Sequence, residues 1–303
     1  MTNLSLCGLS ENWLLKECGH QHWMALANHF NLNLPSFSGE LFQSENNATV
    51  YAAFISATIS NAKLQCIQEN DTFEISTELV KAGRSKFYSV QKIKKDNALI
   101  AEVELISTLV SRKESGNNQS VYRVNTSDNN QAISESNPAL NNRIHELLQL
   151  SKSLKVNSLT SWCELSFNST SEKNKDTPYP YRHQPYQRQS YRYQPCPHSD
   201  FNGADFLYFA NFQRIADQAE WYYLNLQNKH ERNQLWLTHN RQVSYYKNIN
   251  LGDTLTYALV EGFENSGTKT TKMSVYRESD GDRIADILTQ KQQVDAHHYR
   301  WTN

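Results

Sequence analysis

Apolar residues recur at steps of three and four in two stretches of the chain, one in each half. In the first half Trp23, Leu26 and Phe30 follow this spacing and predict a helix over residues 21–30. In the second half the repeat is longer and predicts a helix with one strongly apolar face, formed by Phe209, Phe212, Ala216, Ala219 and Tyr223. Each helix therefore needs a partner surface on which to bury that face.

Alternating apolar and polar residues follow each predicted helix and indicate β-strands. Within residues 72–81, for example, Phe73, Ile75 and Leu79 alternate with acidic and hydroxyl side chains. Such alternation is typical of antiparallel strands with one buried face. The same reasoning predicts strands at 50–59, 72–81 and 99–110 in the first half, and at 243–246, 255–261, 269–276 and 283–294 in the second.

The two halves share one order of elements, a helix and then antiparallel strands. A shared dipeptide, Asp71-Thr72 and Asp253-Thr254, opens a strand series in each half. We interpret this repetition as an internal duplication, and we predict an α+β fold in which each half wraps an antiparallel sheet around its helix. The predicted domains are residues 1–145 and 150–303, joined sheet edge to sheet edge. The sequence leaves open whether the chain pairs further into a homodimer.

Two segments differ in composition from the rest. Residues 113–142 are rich in Ser, Asn and Gln, which predicts a linker or a mobile loop. Residues 177–197 interleave tyrosines with arginines and prolines, and such side chains can stack on nucleic-acid bases. An extended surface loop explains the same residues, and we prefer it because the rest of the chain has no basic excess.

The composition indicates a folded protein of balanced charge. Hydrophobic residues make up 38% of the 303 residues, which excludes wholesale disorder. The formal net charge of -1 excludes a general nucleic-acid coat or a binder of anionic membranes. The sequence shows neither a membrane-spanning apolar run nor a secretion signal. Five scattered cysteines without a short-spaced pair indicate reduced thiols, so we expect a cytoplasmic protein.

His20 and His22 are the closest pair of candidate metal ligands. Because a spacing of two residues places them on different faces of a helix, joint ligation needs an irregular backbone. We therefore expect neither a metal site nor a permanently bound cofactor.

Several motifs resemble a known superfamily. Asp200-Phe201-Asn202-Gly203 precedes the second helix, and Tyr208, Phe209 and Phe212 follow it closely. This arrangement resembles the hot-dog superfamily, and within it the 4-hydroxybenzoyl-CoA thioesterase branch. The resemblance implies a double hot-dog fold for the duplicated chain.

A narrower resemblance lies in the N-terminal stretch 7–17, which opens with Cys7-Gly8-Leu9-Ser10-Glu11-Asn12-Trp13 and is followed by His20-x-His22-Trp23. With the stretch 203–212, it resembles the family of the leinamycin-pathway bifunctional acyltransferase/decarboxylase, double hot-dog proteins of polyketide biosynthesis. That family converts methylmalonyl-CoA into a propionyl group on an acyl carrier protein. The resemblance implies a pocket for a coenzyme A or phosphopantetheine thioester, an acyl carrier protein as partner, and Tyr51 as the active-site tyrosine.

Decarboxylation of a malonyl-type thioester makes two demands on a site. The leaving carboxylate must lie in a dry place, and the thioester oxygen must meet donors as enolate charge builds. A tyrosine hydroxyl has an ordinary pKa of about 10, so it is neutral at pH 7 and can donate. The resembling family has been assigned an acyl-tyrosine intermediate. We prefer donation by Tyr51, because the sequence identifies no base or cation beside it that would form tyrosinate.

Other residues are candidates for catalysis or for substrate binding. The amides of Asn46 and Asn47 can donate to a thioester oxygen or a substrate carboxylate, or stabilise a turn. A hydrolase would use a carboxylate instead, and we favour Asp200 over the helix residues Asp217 and Glu220. Four residues of the motifs are assigned to substrate binding: His22, Trp23, Tyr208 and Phe209. For His22 a structural role is the alternative.

Two other functions stay open beside a decarboxylase and acyltransferase. One is a hot-dog thioesterase acting on acyl-CoA or acyl carrier protein. The other is a non-catalytic module that binds an acyl carrier protein. The sequence does not decide which acyl group, malonyl, methylmalonyl or larger, is the substrate.

Overall fold

The computed structural model describes residues 3–33, 36–38, 42, 44–45, 48–83, 85–126, 138–156, 190–226, 234–265 and 267–295. Within them the α-helices are α1 (Glu11–His29), α2 (Pro138–Val156) and α3 (Asn211–Leu226). The strands are β1 (Leu4–Ser5), β2 (Gly8–Leu9), β3 (Tyr51–Ser60), β4 (Glu74–Lys81), β5 (Lys86–Lys95), β6 (Ala98–Arg112), β7 (Val121–Arg123), β8 (Ser190–Tyr193), β9 (Gln234–Tyr245), β10 (Leu255–Asn265), β11 (Thr268–Arg277) and β12 (Arg283–Asp295). None of these helices is long and apolar enough to cross a membrane.

Helix α1 begins well before the predicted start at residue 21. Ser10 caps it, because the Ser10 hydroxyl accepts a hydrogen bond from the Trp13 N–H at 3.3 Å. Its buried positions include Gly19 and His22 as well as leucines. Because the buried face is not uniformly apolar, the helical repeat is visible in the sequence only near the end of α1.

The main sheet is antiparallel and runs through both halves of the chain. Its order is β4-β5-β6-β3-β9-β12-β11-β10-β8, with β7 paired to β6. Outward from the centre the order is β3-β6-β5-β4 in the first half and β9-β12-β11-β10 in the second, so the two halves have the same topology. This repetition confirms the internal duplication that the sequence predicted.

The two halves join through β3 and β9, edge to edge, as predicted. Residues 56–59 of β3 pair antiparallel with residues 241–244 of β9. The pairing extends no further, so residues 51–55 of β3 have no partner on β9. The seam between the halves therefore opens beside the start of β3.

The register of this join shows which helix covers which face of the sheet. Ala57 pairs with Val243, and these residues lie in the cores beneath α1 and α3. Ser244, one residue further along β9, contacts α2 instead. Its hydroxyl donates a hydrogen bond to the Ser151 hydroxyl at 2.9 Å. Helices α1 and α3 therefore cover the inner face, and α2 covers the outer face at the seam.

Helix α2 corrects the prediction of a linker at 113–142. Both β7 and the beginning of α2 lie in this range, and Pro138 at the first helical position suits a helix start. Arg143 pairs with the buried Glu104 of the first half at 2.5 Å, whereas Ser151 contacts the second half. The predicted division between residues 145 and 150 falls within α2, and the domain boundaries stay a prediction.

The structure describes only the end, 190–197, of the aromatic and arginine-rich segment 177–197. Residues of β8 pair with β10 at the edge of the sheet. Arg192 in this strand forms an exposed ion pair with Glu278 at 2.8 Å. The rest of the segment lies outside the described residues.

Candidate active site

A cavity of about 310 Å³ opens at the seam where β3 and β9 separate. Helix α1 and the start of β3 form part of its wall, and the loop before α3 together with residues 245–249 forms the rest. We call it the tyrosine cavity. Its aromatic lining consists of Trp23, Tyr51, Phe54, Phe206, Tyr208, Phe209, Phe212 and Tyr245.

Tyr51 begins β3 and lines this cavity. Its ring meets Phe206 edge to face, with ring centroids 5.4 Å apart and planes at 78°. Within the described residues no side-chain hydrogen bond involves the Tyr51 hydroxyl. The hydroxyl can therefore donate to a bound ligand.

A cation lies beside Tyr51, contrary to what the sequence indicated. The Arg112 guanidinium is 5.2 Å from the Tyr51 ring centre and 4.1 Å from that of Phe206, and it donates a hydrogen bond to the Ala204 carbonyl. Tyr51 pairs with Val110 across β3 and β6, so Arg112 is its diagonal neighbour on the same face. The only signal for this contact is the strand register, which the sequence pattern does not reveal.

The loop before α3 is shaped by Asn202. Its side-chain oxygen accepts hydrogen bonds from the N–H groups of Ala204 and Phe206, both at 3.0 Å. An amide that bonds its own following backbone in this way forms an Asx turn. The turn brings Gly203 and Phe206 to the tyrosine cavity.

Phe209 forms an aromatic wall of the cavity. Its ring centroid lies 4.2 Å from that of Phe54 and 5.5 Å from that of Tyr208. The ring packs directly on α1 at Gly19, where an added Cβ would lie 2.6 Å from Phe209 Cε1. Trp23, Tyr208 and Phe209 thus line the same cavity as Tyr51; their roles in substrate binding stay predictions.

The architecture is similar to that of solved thioesterases. No protein-family model matches the sequence, and the search of curated proteins gives no match. The structure is similar to a 12:0-ACP thioesterase from Umbellularia californica, with a TM-score of 0.53 and 9% identity over 97% of this chain and 94% of that chain. It is also similar to a putative oleoyl thioesterase from Lactobacillus plantarum, with a TM-score of 0.53 and 10% identity over 97% and 93% of the chains.

Both similarities extend over almost the whole chain, and the duplicated helix-and-sheet topology is that of two hot-dog units. The chain has a double hot-dog fold. This confirms the predicted fold class. At such low identity the likeness establishes the fold, and the chemistry must be argued from the site.

The double hot-dog contains a second cavity, of about 370 Å³, beside the start of β9. Trp236 and Thr238 of β9 line it together with Asp217 of α3, whereas Tyr51 of β3 lines the first cavity. We call it the mate cavity.

Ion pairs fill the surroundings of the mate cavity. Arg241, only 2% exposed, binds Asp217 at 2.8 Å and Glu11 at 3.3 Å, and Lys291 binds Glu220 at 2.7 Å. Burial disfavours the Glu220 carboxylate, but the charges of Lys291 and Lys269 outweigh it and hold its pKa below the ordinary value. The helix carboxylates Asp217 and Glu220 therefore serve this double hot-dog as ion-pair partners.

Asp200, which the sequence suggested as a catalytic residue, is not among the residues that line either cavity, and its catalytic role stays a prediction. It is fully buried, pairs with Arg214 at 2.5 Å, and accepts hydrogen bonds from the Tyr193 hydroxyl at 2.8 Å and the Cys196 N–H at 2.7 Å. With its oxygens engaged in this way, Asp200 fixes the loop that leads into the cavity wall. Its place just before the Gly203 turn made it resemble a catalytic residue.

His22, which the sequence suggested as a substrate-binding residue, is not among the residues that line the tyrosine cavity. It is buried behind Phe54, with ring centroids 5.1 Å apart, and its nitrogens lie 2.6 Å from the Ser89 hydroxyl and 2.8 Å from the Ser107 hydroxyl. Burial lowers the pKa of His22 to about 3, so the ring is neutral. It supports the wall of the cavity, which is the structural alternative. Asn46 and Asn47 lie outside the described residues, and their role stays a prediction.

Proposed function

We propose that this double hot-dog protein decarboxylates a malonyl or methylmalonyl thioester of coenzyme A and transfers the resulting acetyl or propionyl group to an acyl carrier protein. The pathway that such a reaction serves is polyketide biosynthesis, as the sequence resemblance implies. One observation carries the proposal: Tyr51 lines an aromatic cavity, and its hydroxyl has no hydrogen-bond partner among the described residues.

The decarboxylation step breaks the bond between the substrate carboxylate and the α-carbon. Carbon dioxide leaves, and the electron pair of that bond forms the thioester enolate, which then takes a proton from water. An aromatic cavity solvates a carboxylate poorly and so favours its loss. A hydrogen bond to the thioester oxygen stabilises the enolate, and Tyr51, which lines the cavity, is the donor in this proposal.

The transfer step exchanges one thiol for another. The phosphopantetheine thiolate of the carrier attacks the thioester carbonyl, and coenzyme A leaves as its thiolate. This direct route needs no acyl-enzyme. Covalent catalysis by Tyr51 is the alternative route.

A thioesterase is the nearest alternative, and both solved relatives are thioesterases by name. Hydrolysis of this kind uses a carboxylate to activate water. The three candidate carboxylates form ion pairs away from the tyrosine cavity: Asp200 with Arg214, Asp217 with Arg241 and Lys291, and Glu220 with Lys269 and Lys291. Their engagement in ion pairs favours the decarboxylase.

Incubation with methylmalonyl-CoA and malonyl-CoA, each with and without a holo acyl carrier protein, tests the proposal. We expect carbon dioxide release with the thioester retained, and a carrier whose mass increases by the acyl group. Release of free acid and coenzyme A would establish the thioesterase instead. An absence of turnover with both substrates would leave the non-catalytic carrier-binding module.

A further inference from the structure

A cavity on the outer face adjoins the tyrosine cavity across the seam. It has a volume of about 370 Å³, and we call it the outer cavity. The two cavities share five lining residues, Ala53, Phe54, Tyr245, Lys247 and Asn248. All five lie where β3 and the end of β9 separate, so the residues of this seam are what lies between the outer cavity and the site of Tyr51.

Cations surround the mouth of the outer cavity. Lys155 of α2 lies 4.1 Å from the ring centre of Tyr246, and Lys113 lies 5.7 Å from that of Tyr122; both tyrosines line the cavity. Arg123 and Lys247 line it directly. With two neighbouring lysines these residues form what we call the basic rim: Lys86, Lys113, Arg123, Lys152, Lys155 and Lys247.

The charges of the basic rim are close together and poorly compensated. Burial lowers the pKa of Lys86, and the positive charges of Arg123 and Lys152 lower it further, so these three cations repel one another. Among the described residues only one member of the rim, Lys247, forms an ion pair, with Asp282 at 2.5 Å. The whole chain has a formal charge of -1. The positive charge of the basic rim is therefore a local feature of this face.

We propose that the basic rim is the docking surface for the acyl carrier protein, whose phosphopantetheine arm enters the tyrosine cavity through the outer cavity. The proposal rests on the proposed function, in which the carrier is the acyl acceptor. Clustered cations attract an acidic protein surface and speed its encounter. The rim extends from the cavity mouth onto α2 and β5, beyond the reach of one phosphate group, which assigns it to a carrier protein.

A charge reversal on α2 tests the docking surface. Lys152→Glu places a negative charge on the rim at an exposed residue that lines neither cavity. Lys63→Glu is the matched control, because Lys63 is also exposed and its N–H bonds the Ile100 carbonyl. Ile100 lies roughly 33 Å along β6 from Val110 of the outer cavity, at about 3.3 Å per residue.

Binding is measured by the fluorescence anisotropy of a labelled, discrete bacterial holo acyl carrier protein, without acyl substrate. We expect Lys152→Glu to raise the Kd of the carrier about tenfold at low ionic strength, and Lys63→Glu to change it less than about twofold. The difference should shrink as salt screens the charges. Because the assay needs no turnover, it separates a failure of docking from a failure of the proposed reaction.

Three results would overturn the docking surface. One is a carrier Kd that is equal in the wild type and in Lys152→Glu. Another is a wild-type protein that does not bind the holo carrier. The third comes from a parallel titration with coenzyme A: if Lys152→Glu weakens coenzyme A as much as it weakens the carrier, the rim binds the nucleotide phosphates instead.

Discussion

The ring of Tyr51 is held by its neighbours, whereas its hydroxyl has no hydrogen-bond partner in the part of the chain that the structure describes. Phe206 meets the ring edge to face, and the Arg112 guanidinium lies beside both rings. A donor fixed in this way has little reorganisation to undergo when charge develops on the thioester oxygen, which is the basis of electrostatic stabilisation in enzymes. The contribution of the held hydroxyl can be measured separately from that of the group that holds it.

Tyr51→Phe removes the hydroxyl and keeps the ring. We expect decarboxylation to slow by about a hundredfold to a thousandfold, the usual effect of losing one oxyanion donor. Binding of the thioester should change little, because the hydrogen bond strengthens mainly as charge develops. Single-turnover kinetics and a titration with a non-reactive thioester analogue measure the two effects.

Intact-protein mass spectrometry after a quench separates the donor from the nucleophile. An acyl adduct on Tyr51, formed and discharged at the turnover rate, would establish covalent catalysis. Full activity of Tyr51→Phe would contradict both mechanisms.

Arg112→Lys keeps the positive charge and removes the planar group that lies beside the two rings. If Arg112 acts by positioning Tyr51, kcat should fall about tenfold, with a much smaller change in KM. A double-mutant cycle with Tyr51→Phe is the decisive measurement, because residues that act as a unit give losses that do not add. Additive losses in kcat would show that Arg112 acts independently of Tyr51.

Gly19→Ala narrows the tyrosine cavity. The new Cβ would lie 2.6 Å from Phe209 Cε1, so the Phe209 ring must shift, and we expect KM to rise more for methylmalonyl-CoA than for malonyl-CoA. Gly203→Ala is the comparison, since Gly203 lines the same cavity and a Cβ there meets nothing within 4 Å. Steady-state kinetics with both substrates check the difference. Equal effects of the two variants would contradict the close approach at Gly19.

At the scale of elements, the sequence predicted strands by their alternation and missed those whose inner face is polar. Strand β5 is the clearest case, because its buried Ser89 and Gln91 are bonded to each other at 2.7 Å and Ser89 also contacts His22. Its alternation of apolar and polar residues is therefore lost. Helix α2 was missed although Ile144, Leu147 and Leu154 follow a helical spacing, because its first residues lie in the stretch rich in Ser, Asn and Gln that the composition assigned to a linker.

The residues of the site were predictable where a sequence motif marks them, and not where strand pairing brings them together. Family motifs led to Tyr51, Trp23 and Phe209, which do line one cavity. Arg112 could not be predicted, because it reaches Tyr51 only through the pairing of β3 with β6. The ion pair of Asp200 with Arg214 could not be predicted either, because nothing in the sequence shows that Arg214 reaches this carboxylate.

At the scale of the whole molecule, His22 makes stability depend on pH. Its folded pKa is about 3 and its ordinary value is 6.5, so between these values the unfolded chain binds a proton that the folded chain does not. The free energy of unfolding therefore falls as the pH falls, by about 1.4 kcal/mol per pH unit in that window. His22→Gln should remove this contribution.

Urea unfolding at pH 6.5 and pH 5 measures the contribution of His22 to the free energy of unfolding. We expect the wild type to lose about 2 kcal/mol more than His22→Gln between these two pH values. The exposed His20 supplies the control, His20→Gln, which should behave as the wild type does. Parallel pH dependence in the wild type and His22→Gln would contradict the assignment.

The two cavities of the chain bear on how such a protein can diverge. In a homodimer of single hot-dog units, one codon specifies both sites, so every mutation is made twice. Duplication within one chain removes that constraint, because the tyrosine cavity and the mate cavity have their own residues, with Tyr51 in one and Trp236 in the other. One site can then be selected for chemistry while the other, through Arg241 with Glu11 of α1 and Asp217 of α3, is selected for cohesion between the helices.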